Sequence, residues 1–418
     1  MFKKLFITAV CLVPAAAYAF DGKVSFDNKG SLSAIVEQAA AGEAEALPVP
    51  ETGKTGVKEW TVMVFVNAKN NLEQYGLKDV NEMEMIGSSD QVNVVAELGR
   101  ISGYYSGEGD WKGSRRYLVQ KDDNTSAVTS PVLMEIPKSD MGNWEYLAGF
   151  VEWSKARFPA KHYALIIWNH GSGWNKDFAF EASKGISYDD ETHTHITTPQ
   201  LAQLLQRTGK MDILSMDACL MQMIEVAYEV KDGADYVVAS EETEPGDGYT
   251  YNTMLEPLVK DPFMGAANFS RVMVDAFTNH YQSIGQGATQ SSIRTAGLDG
   301  FRARLDGLVD ALVAANDLAV AKAAKTKTQS FYYSSNKDVY HFARLVAETT
   351  SAPEVSAAAK DLLSFMDAEV VTHNRAYGSR YANAFGLAAY MPSYYSSAYD
   401  GLAWARDSKW DDFIKWAK

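Results

Sequence analysis

Cysteine is nearly absent from this 418-residue chain, which contains only Cys11 and Cys219. Cys11 falls within the first nineteen residues, which have the character of a removable secretory signal. Loss of that signal would leave Cys219 as the single thiol and exclude an intramolecular disulfide. A lone thiol in an oxidising compartment is prone to oxidation, which favours a catalytic use. The alternative is a buried cysteine that packs as a small hydrophobic side chain.

The sequence also lacks apolar runs long enough to cross a bilayer. The N-terminal run from Leu5 to Val13 is too short, and it lies between Lys3-Lys4 and the small-x-small site Ala17-Tyr18-Ala19. This pattern predicts a signal peptide over residues 1 to 19. We therefore expect a secreted or periplasmic protein without membrane insertion.

Positive charge is scarce, because 39 Lys and Arg against 53 Asp and Glu give a net charge of −14. Without the two lysines of the signal, 37 basic residues face 53 acidic ones, and the net charge becomes −16. Such a charge disfavours nucleic acid and anionic membranes and is compatible with cationic substrates. We expect peptide or protein partners with basic residues, and no nucleic acid.

Composition divides the rest of the chain into three parts. Residues 20 to 58 are rich in Ala, Glu and Gly, which predicts a leader or pro-segment that is partly disordered. Over residues 59 to 260, apolar runs alternate with amphipathic stretches, which predicts βα units around a mostly parallel sheet. Residues 261 to 418 are mainly helical in pattern, including a run at 354 to 376. Two strand-like runs there, Ser292 to Ala296 and Phe385 to Tyr390, either extend the sheet or belong to a helical part packed on the core.

Polar turns follow two buried strands of the predicted sheet. The apolar run from Tyr163 to Trp168 leads into Asn169-His170-Gly171, and the run from Ile213 to Met216 leads into Asp217-Ala218-Cys219. The carboxyl ends of parallel strands meet at the edge where open α/β sheets bind ligands. A cysteine nucleophile requires a nearby base, and imidazole suits neutral pH.

His170 and Cys219 are therefore interpreted either as a catalytic pair or as two structural residues, a turn histidine and a buried thiol. The equivalent positions of His170 and Cys219 at the ends of successive strands favour the catalytic pair. We expect the helix predicted after Cys219 to lower the pKa of the thiol through its positive end. The N–H groups of Gly171 and Cys219 would stabilise the oxyanion of an acyl-transfer intermediate.

Four stretches of the sequence resemble the clostripain family of cysteine peptidases. They are Trp60-Thr61-Val62-Met63-Val64 with Asn70-Asn71-Leu72-Glu73, Asn169-His170-Gly171, Asp217-Ala218-Cys219-Leu220-Met221, and Glu244-Pro245-Gly246-Asp247-Gly248. The resemblance implies a caspase-like three-layer α/β/α sandwich with a mostly parallel sheet and additional C-terminal helices. It also implies that Cys219 and His170 form a dyad, which cleaves peptides after Arg or Lys through an acyl-enzyme.

The resemblance also assigns residues to substrate binding. Asp217 would line the pocket for the basic side chain, with Asp247 as a further acidic pocket residue and Asn70 as a substrate contact. A buried carboxylate suits guanidinium or ammonium because their hydrogen bond is charge-assisted. The alternatives are a helix N-cap for Asp217 and a turn residue for Asp247. Lys69 stands where the family usually carries an acid, and a cation there would weaken the attraction of basic substrates.

Several members of this family mature by self-cleavage after a basic residue between the histidine and the cysteine, a segment in which this chain has Lys176 and Lys184. Lys184 precedes Gly185 in a polar stretch and is the candidate cleavage site, the alternative being an ordinary solvated lysine. We expect a monomer, or two associated chains once the protein is nicked. No cofactor is expected to be required. Calcium dependence occurs in some members and stays open here, with the acids at residues 189 to 191 as candidate ligands.

Two other functions compete with the peptidase. A metal-dependent hydrolase would use His193 and His195 beside the acids at 189 to 191, because His-x-His is a possible zinc pair. Alternating His and Thr equally suits one exposed strand. A non-catalytic relative would bind peptides without cutting them, and the presence of both dyad residues counts against it.

Overall fold

The computed structural model of the protein describes residues 56 to 174 and 185 to 418. The predicted signal, most of the predicted leader and the candidate cleavage site Lys184 lie outside the described residues.

Thirteen β-strands form in the described part of the chain. They are β1 (Lys58–Ala68), β2 (Val92–Arg100), β3 (Gly113–Leu118), β4 (Val132–Ile136), β5 (Ala160–Trp168), β6 (Ile186–Asp189), β7 (Thr194–Ile196), β8 (Met211–Asp217), β9 (Ala234–Ala239), β10 (Ala288–Arg294), β11 (Asn336–Asp338), β12 (Val371–Tyr377) and β13 (Ala388–Tyr390). Nine of them form one sheet in the order β12-β10-β9-β8-β5-β1-β2-β3-β4. The five central strands are parallel, and the pairings at both ends are antiparallel. The prediction of a mostly parallel sheet is confirmed.

Twelve α-helices accompany the strands within the described residues. They are α1 (Glu73–Glu84), α2 (Trp144–Arg157), α3 (Thr198–Thr208), α4 (Ile224–Glu229), α5 (Tyr251–Lys260), α6 (Ala266–Ser283), α7 (Leu298–Ala314), α8 (Leu318–Lys327), α9 (Val339–Thr349), α10 (Pro353–Phe365), α11 (Ala403–Asp407) and α12 (Trp410–Trp416). Local sequence fixes several starts. Thr197 and Gln200, for example, form a reciprocal capping box at the start of α3, which also has a proline in its first turn.

The helices cover both faces of the main sheet. Strand β1 is buried along its whole length. Val62 and Val64 pack in the core that includes α1, α5 and α6, whereas Met63 and Phe65 pack in the core that includes α2, α3 and α4. A strand that is apolar on both faces requires cover on both sides. Each core lies between the sheet and the helices on one of its faces, which gives the three-layer α/β/α arrangement expected from the sequence.

The C-terminal part contributes strands to the same sheet. β10 pairs with β9, and β12 pairs with β10, so the first of the two strand-like runs extends the sheet. The second run contains β13, which pairs with β11 in a separate two-stranded sheet. The helical prediction for residues 371 to 376 is wrong, because a π-helical turn over Met366–Val370 follows α10, and the chain from Val371 pairs with β10. In the described ranges, no helix combines the length and apolarity needed to cross a membrane.

Candidate active site

The register of two central strands brings His170 and Cys219 to the same place. β5 and β8 are parallel neighbours with Trp168 opposite Asp217, and each functional residue lies two positions beyond its strand. The two turns therefore leave the sheet side by side. A β-carbon at Gly171 would collide with the carbonyl oxygen of Cys219, so this close approach requires glycine.

Both turns line one cavity of about 220 Å³, and the loop after β9 also contributes to its lining. Its lining residues are Leu72, Trp168, Asn169, His170, Asp217, Ala218, Cys219, Glu244, Pro245, Gly246 and Gly248. The predicted convergence of imidazole, thiol and Asp217 on one crevice is therefore what the structure contains.

The turn that carries Cys219 is held from the loop after β9. The N–H of Leu220 donates to the carbonyl oxygen of Glu242 at 3.0 Å, and the N–H of Glu244 donates to Cys219 Sγ at 3.3 Å. Leu220 has a positive φ of 65°. This left-handed conformation costs a non-glycine residue about 1–2 kcal/mol and is kept where surrounding contacts impose it. The sulfur is thus presented on a sharp, externally braced turn.

The sequence-based expectation for the electrostatics of Cys219 is wrong. Helix α4 begins at Ile224, five residues beyond the thiol, so its positive end does not lie at Cys219. Burial raises the pKa of the Cys219 thiol, and the N–H of Glu244 partly opposes this effect. At neutral pH the sulfur is therefore a neutral thiol.

The imidazole of His170 is oriented by Asn71. His170 Nε2 lies 2.7 Å from Asn71 Oδ1, and an amide oxygen only accepts hydrogen bonds. Nε2 therefore carries the hydrogen, which leaves Nδ1 with the lone pair of a base. Burial lowers the pKa of His170, although Asp190 opposes this change. At neutral pH, His170 is therefore an uncharged imidazole and Cys219 an uncharged thiol.

Asp217 lies at the base of the cavity and is buried. Its carboxylate accepts a hydrogen bond of 2.9 Å from the Tyr251 hydroxyl and a longer one from the Tyr249 N–H. Because α4 starts seven residues later, the alternative of a helix N-cap does not apply. Burial raises the pKa of Asp217 to about 6.

Two further carboxyl groups, those of Glu244 and Asp79, lie beside Asp217. Neither oxygen of Glu244, nor Oδ1 of Asp79, has a well-formed hydrogen bond within the described part of the chain. Burial, followed by the charge of Asp217, raises the pKa of both groups well above the usual range. Among the described residues, no Lys or Arg forms an ion pair with any of these three carboxyls. Asp217 and Glu244, which line the cavity, therefore form with Asp79 an acidic cluster that lacks an ion-paired Lys or Arg within the described residues.

Comparison with known proteins identifies the relatives of this chain. A sequence model of the clostripain family matches residues 64 to 416. The chain belongs to the clostripain family. It is 27% identical to clostripain from Hathewaya histolytica over an alignment of 227 residues, and the match covers 49% of this chain and 43% of that protein. The chain thus aligns with less than half the length of this curated relative.

Solved structures of clostripain-type proteases share the fold. A secreted C11 cysteine protease from Bacteroides thetaiotaomicron, in complex with an irreversible peptide inhibitor, has a TM-score of 0.63 and 17% identity. The match covers 86% of this chain and 98% of that one. An inactive zymogen C11 protease from Parabacteroides distasonis has a TM-score of 0.61 and 18% identity, with 85% and 99% covered. The expected caspase-like fold is confirmed.

Two residues that the clostripain resemblance assigned to substrate lie elsewhere. Asp247 does not line the cavity, and its carboxylate instead pairs with Lys78 and His280, each at 3.2 Å. Asn70 is buried and does not line the cavity, and its side chain donates to the Tyr188 carbonyl oxygen at 3.0 Å. Its role in the structure is to hold the loop that presents the neighbouring Asn71.

Lys69 does not act as an unpaired cation near the crevice. It is fully buried and forms ion pairs with Asp189 at 3.2 Å and Glu191 at 2.5 Å. The expectation that Lys69 weakens the attraction of basic substrates is therefore wrong, because its charge is neutralised within the protein.

The residues of the alternative metal site are used in other contacts. Asp189 accepts a hydrogen bond from the Met141 N–H at 3.0 Å in addition to its ion pair with Lys69. The ring of His195 stacks on Tyr188 with centroids 5.1 Å apart. Across residues 56 to 174 and 185 to 418, no group of three or more His, Cys, Asp or Glu side chains is arranged to hold a metal ion.

Proposed function

We propose that this clostripain-family protein is an exported cysteine endopeptidase that cleaves peptide bonds after Arg or Lys. One observation carries the proposal: Cys219 and His170 line a cavity whose base holds buried carboxyl groups without a cation. The signal-like sequence at residues 1 to 19 supports export to the periplasm or the medium.

The dyad would start from its neutral form. As Cys219 Sγ attacks the carbonyl carbon of the scissile bond, Nδ1 of His170 takes the thiol proton. The resulting imidazolium protonates the leaving amine, which departs and leaves an acyl-enzyme. Water then attacks this thioester with His170 as base, and the acid product leaves as the thiol is restored. Proton transfer during attack removes the need for a preformed thiolate.

The tetrahedral intermediate would be stabilised by the N–H groups of Gly171 and Cys219. Within the described residues, neither group donates a hydrogen bond to a backbone carbonyl. Both belong to the two adjoining turns, so donors and nucleophile are fixed by the same strand register.

The acidic cluster would select the substrate. Three buried carboxyls in one place cannot all be ionised unless a positive charge joins them. A guanidinium or ammonium group entering the cavity would supply that charge and form charge-assisted hydrogen bonds with Asp217 and Glu244. Acidic side chains would be repelled, and apolar ones would leave the carboxyls without a partner.

The test is cleavage of fluorogenic peptides that differ only in the residue before the bond: Arg, Lys, Gln, Asp or Leu. We expect cleavage after Arg and Lys, unaffected by chelators and reduced at least about 10³-fold in Cys219→Ala. His193→Asn is the matched control for the metal alternative and is expected to keep its activity, since Asn tolerates the positive φ of 57° at this position. Cleavage that survives in Cys219→Ala and that chelators abolish in this variant would support a metal hydrolase. Peptide binding without turnover under reducing conditions would support a non-catalytic relative.

A further inference from the structure

A second cavity, of about 410 Å³, lies apart from the active site and shares no lining residue with it. It is formed by the C-terminal half of α8, the segment around β11 and the end of the chain. Four lysines line it, Lys322, Lys325, Lys337 and the last residue, Lys418, together with Ser334 and Ser393.

Lys322, Lys325 and Lys337 have no side-chain carboxylate that neutralises them. In the described part of the chain none of them forms an ion pair, whereas Lys409 and Lys415 nearby in sequence pair with Asp310 and Asp411. Burial lowers the pKa of Lys325, and the charges of Lys337 and Lys322 lower it further. Burial also lowers the pKa of Lys337. The lysines are therefore close enough to repel one another, in a protein whose net charge is −14.

The side chain of Lys325 is held in place. Its Nζ donates to the carbonyl oxygens of Pro392 at 2.5 Å and Ala417 at 3.3 Å. These contacts fix one ammonium group at the cavity lining, to which Lys322 and Lys337 add their charges. A cluster of like charges costs stability unless an anion joins it, and such local conflicts occur at functional sites.

We propose that this cavity is a binding site for a phosphate group, with Lys322, Lys325 and Lys337 as its cationic ligands. An ammonium group binds phosphate as a compact point charge. When three ammonium groups surround one phosphate dianion, their attraction to the anion outweighs their repulsion of one another. The hydroxyl groups of Ser334 and Ser393 add neutral donors for further phosphate oxygens.

Calorimetric titration and thermal unfolding test this site. Inorganic phosphate and phosphoserine are titrated separately at constant ionic strength, with chloride as the reference anion, which distinguishes free phosphate from a phosphomonoester. We expect one or both to bind the wild type and raise its Tm more than chloride does. In the Lys322→Gln/Lys337→Gln double variant, binding should weaken at least about tenfold, because two charged hydrogen bonds to the anion are lost.

The ligand-free double variant provides a second measurement. Because it relieves repulsion, its Tm without phosphate should equal or exceed that of the wild type. The matched control is Lys327→Gln, which removes the same charge from α8 outside the cavity and should keep the full phosphate response. Stabilisation by phosphate no greater than by chloride, or a full phosphate response in the double variant, would overturn the proposal.

Discussion

The imidazole Nε2 of His170 lies 2.7 Å from the side-chain oxygen of Asn71. This contact joins the turn after β5 to the loop before α1 and determines which ring nitrogen is the base. It also separates the roles of two adjacent asparagines, since Asn70 supports the loop while Asn71 orients the imidazole.

Replacement of Asn71 should affect catalysis more than substrate binding. In Asn71→Ala the imidazole loses the acceptor that orients it. We expect kcat to fall about 10- to 100-fold with little change in KM, which is less than the full rate enhancement that a general base supplies. Asn71→Asp keeps the acceptor and adds a negative charge, which should raise the pKa of His170 and move the acidic limb of the kcat/KM profile to higher pH. Profiles identical to the wild type in both variants would show that Asn71 does not orient the base.

The carboxyl group of Glu244, which contacts Asp217 and Gln290 but forms no ion pair within the described residues, should contribute strongly to specificity. Glu244→Gln is expected to lower kcat/KM for an Arg substrate about 10- to 100-fold, corresponding to the 1.5–3 kcal/mol of a charged hydrogen bond. Cleavage after Gln should change little. Asp247→Asn is the matched control, because that carboxylate is in the same loop but already pairs with Lys78 and His280. An effect of Asp247→Asn as large as that of Glu244→Gln would contradict this assignment.

The sequence predicted the strands that carry the dyad because they are continuous apolar runs that end abruptly in polar turns. It could not reveal that Glu244 and Asp79 join Asp217, because that cluster depends on how α1 and the loop after β9 pack against β8. Lys69 illustrates the same limit. Its neutralising partner Asp189 is 120 positions away and meets it only through tertiary packing. β12 was missed because its identity as a strand comes from pairing with β10.

The acidic cluster should make both specificity and stability depend on pH. Burial holds the pKa of Asp217 at about 6, above its ordinary value of 3.8. A carboxyl whose pKa is raised by folding binds more protons in the native state, so the free energy of unfolding should fall as the pH rises from about 4 to 6. Over the same window the ratio of kcat/KM for Arg over Gln substrates should rise, because cation binding needs the ionised carboxyl. The titration of Cys219 and His170 affects both substrates equally, so it cancels in this ratio. A ratio independent of pH, or a pH dependence of stability unchanged in Asp217→Asn, would argue against the cluster.

The buried ion pair of Lys69 should support structure without contributing to specificity. Lys69→Met leaves Asp189 buried without its cation, and we expect a loss of about 3–5 kcal/mol in the free energy of unfolding by urea denaturation. The double variant Lys69→Met/Asp189→Asn should recover part of that loss. The preference for Arg over Gln substrates should be the same in any of these variants that remains folded. A large change in this preference would place Lys69 in the substrate site.

The raised pKa of Cys219 makes a prediction opposite to the one that the sequence favours. A thiol at a helix N-terminus would be a thiolate at neutral pH and would react rapidly with iodoacetamide. Burial instead keeps Cys219 protonated, so its alkylation rate should be low at pH 7 and should rise as the pH approaches and passes the ordinary thiol range. Mass spectrometry after timed alkylation measures this rate, and Cys219→Ala identifies the background. Rapid alkylation that is already maximal at pH 6 would mean that a thiolate is preformed, and that His170 holds a proton before substrate arrives.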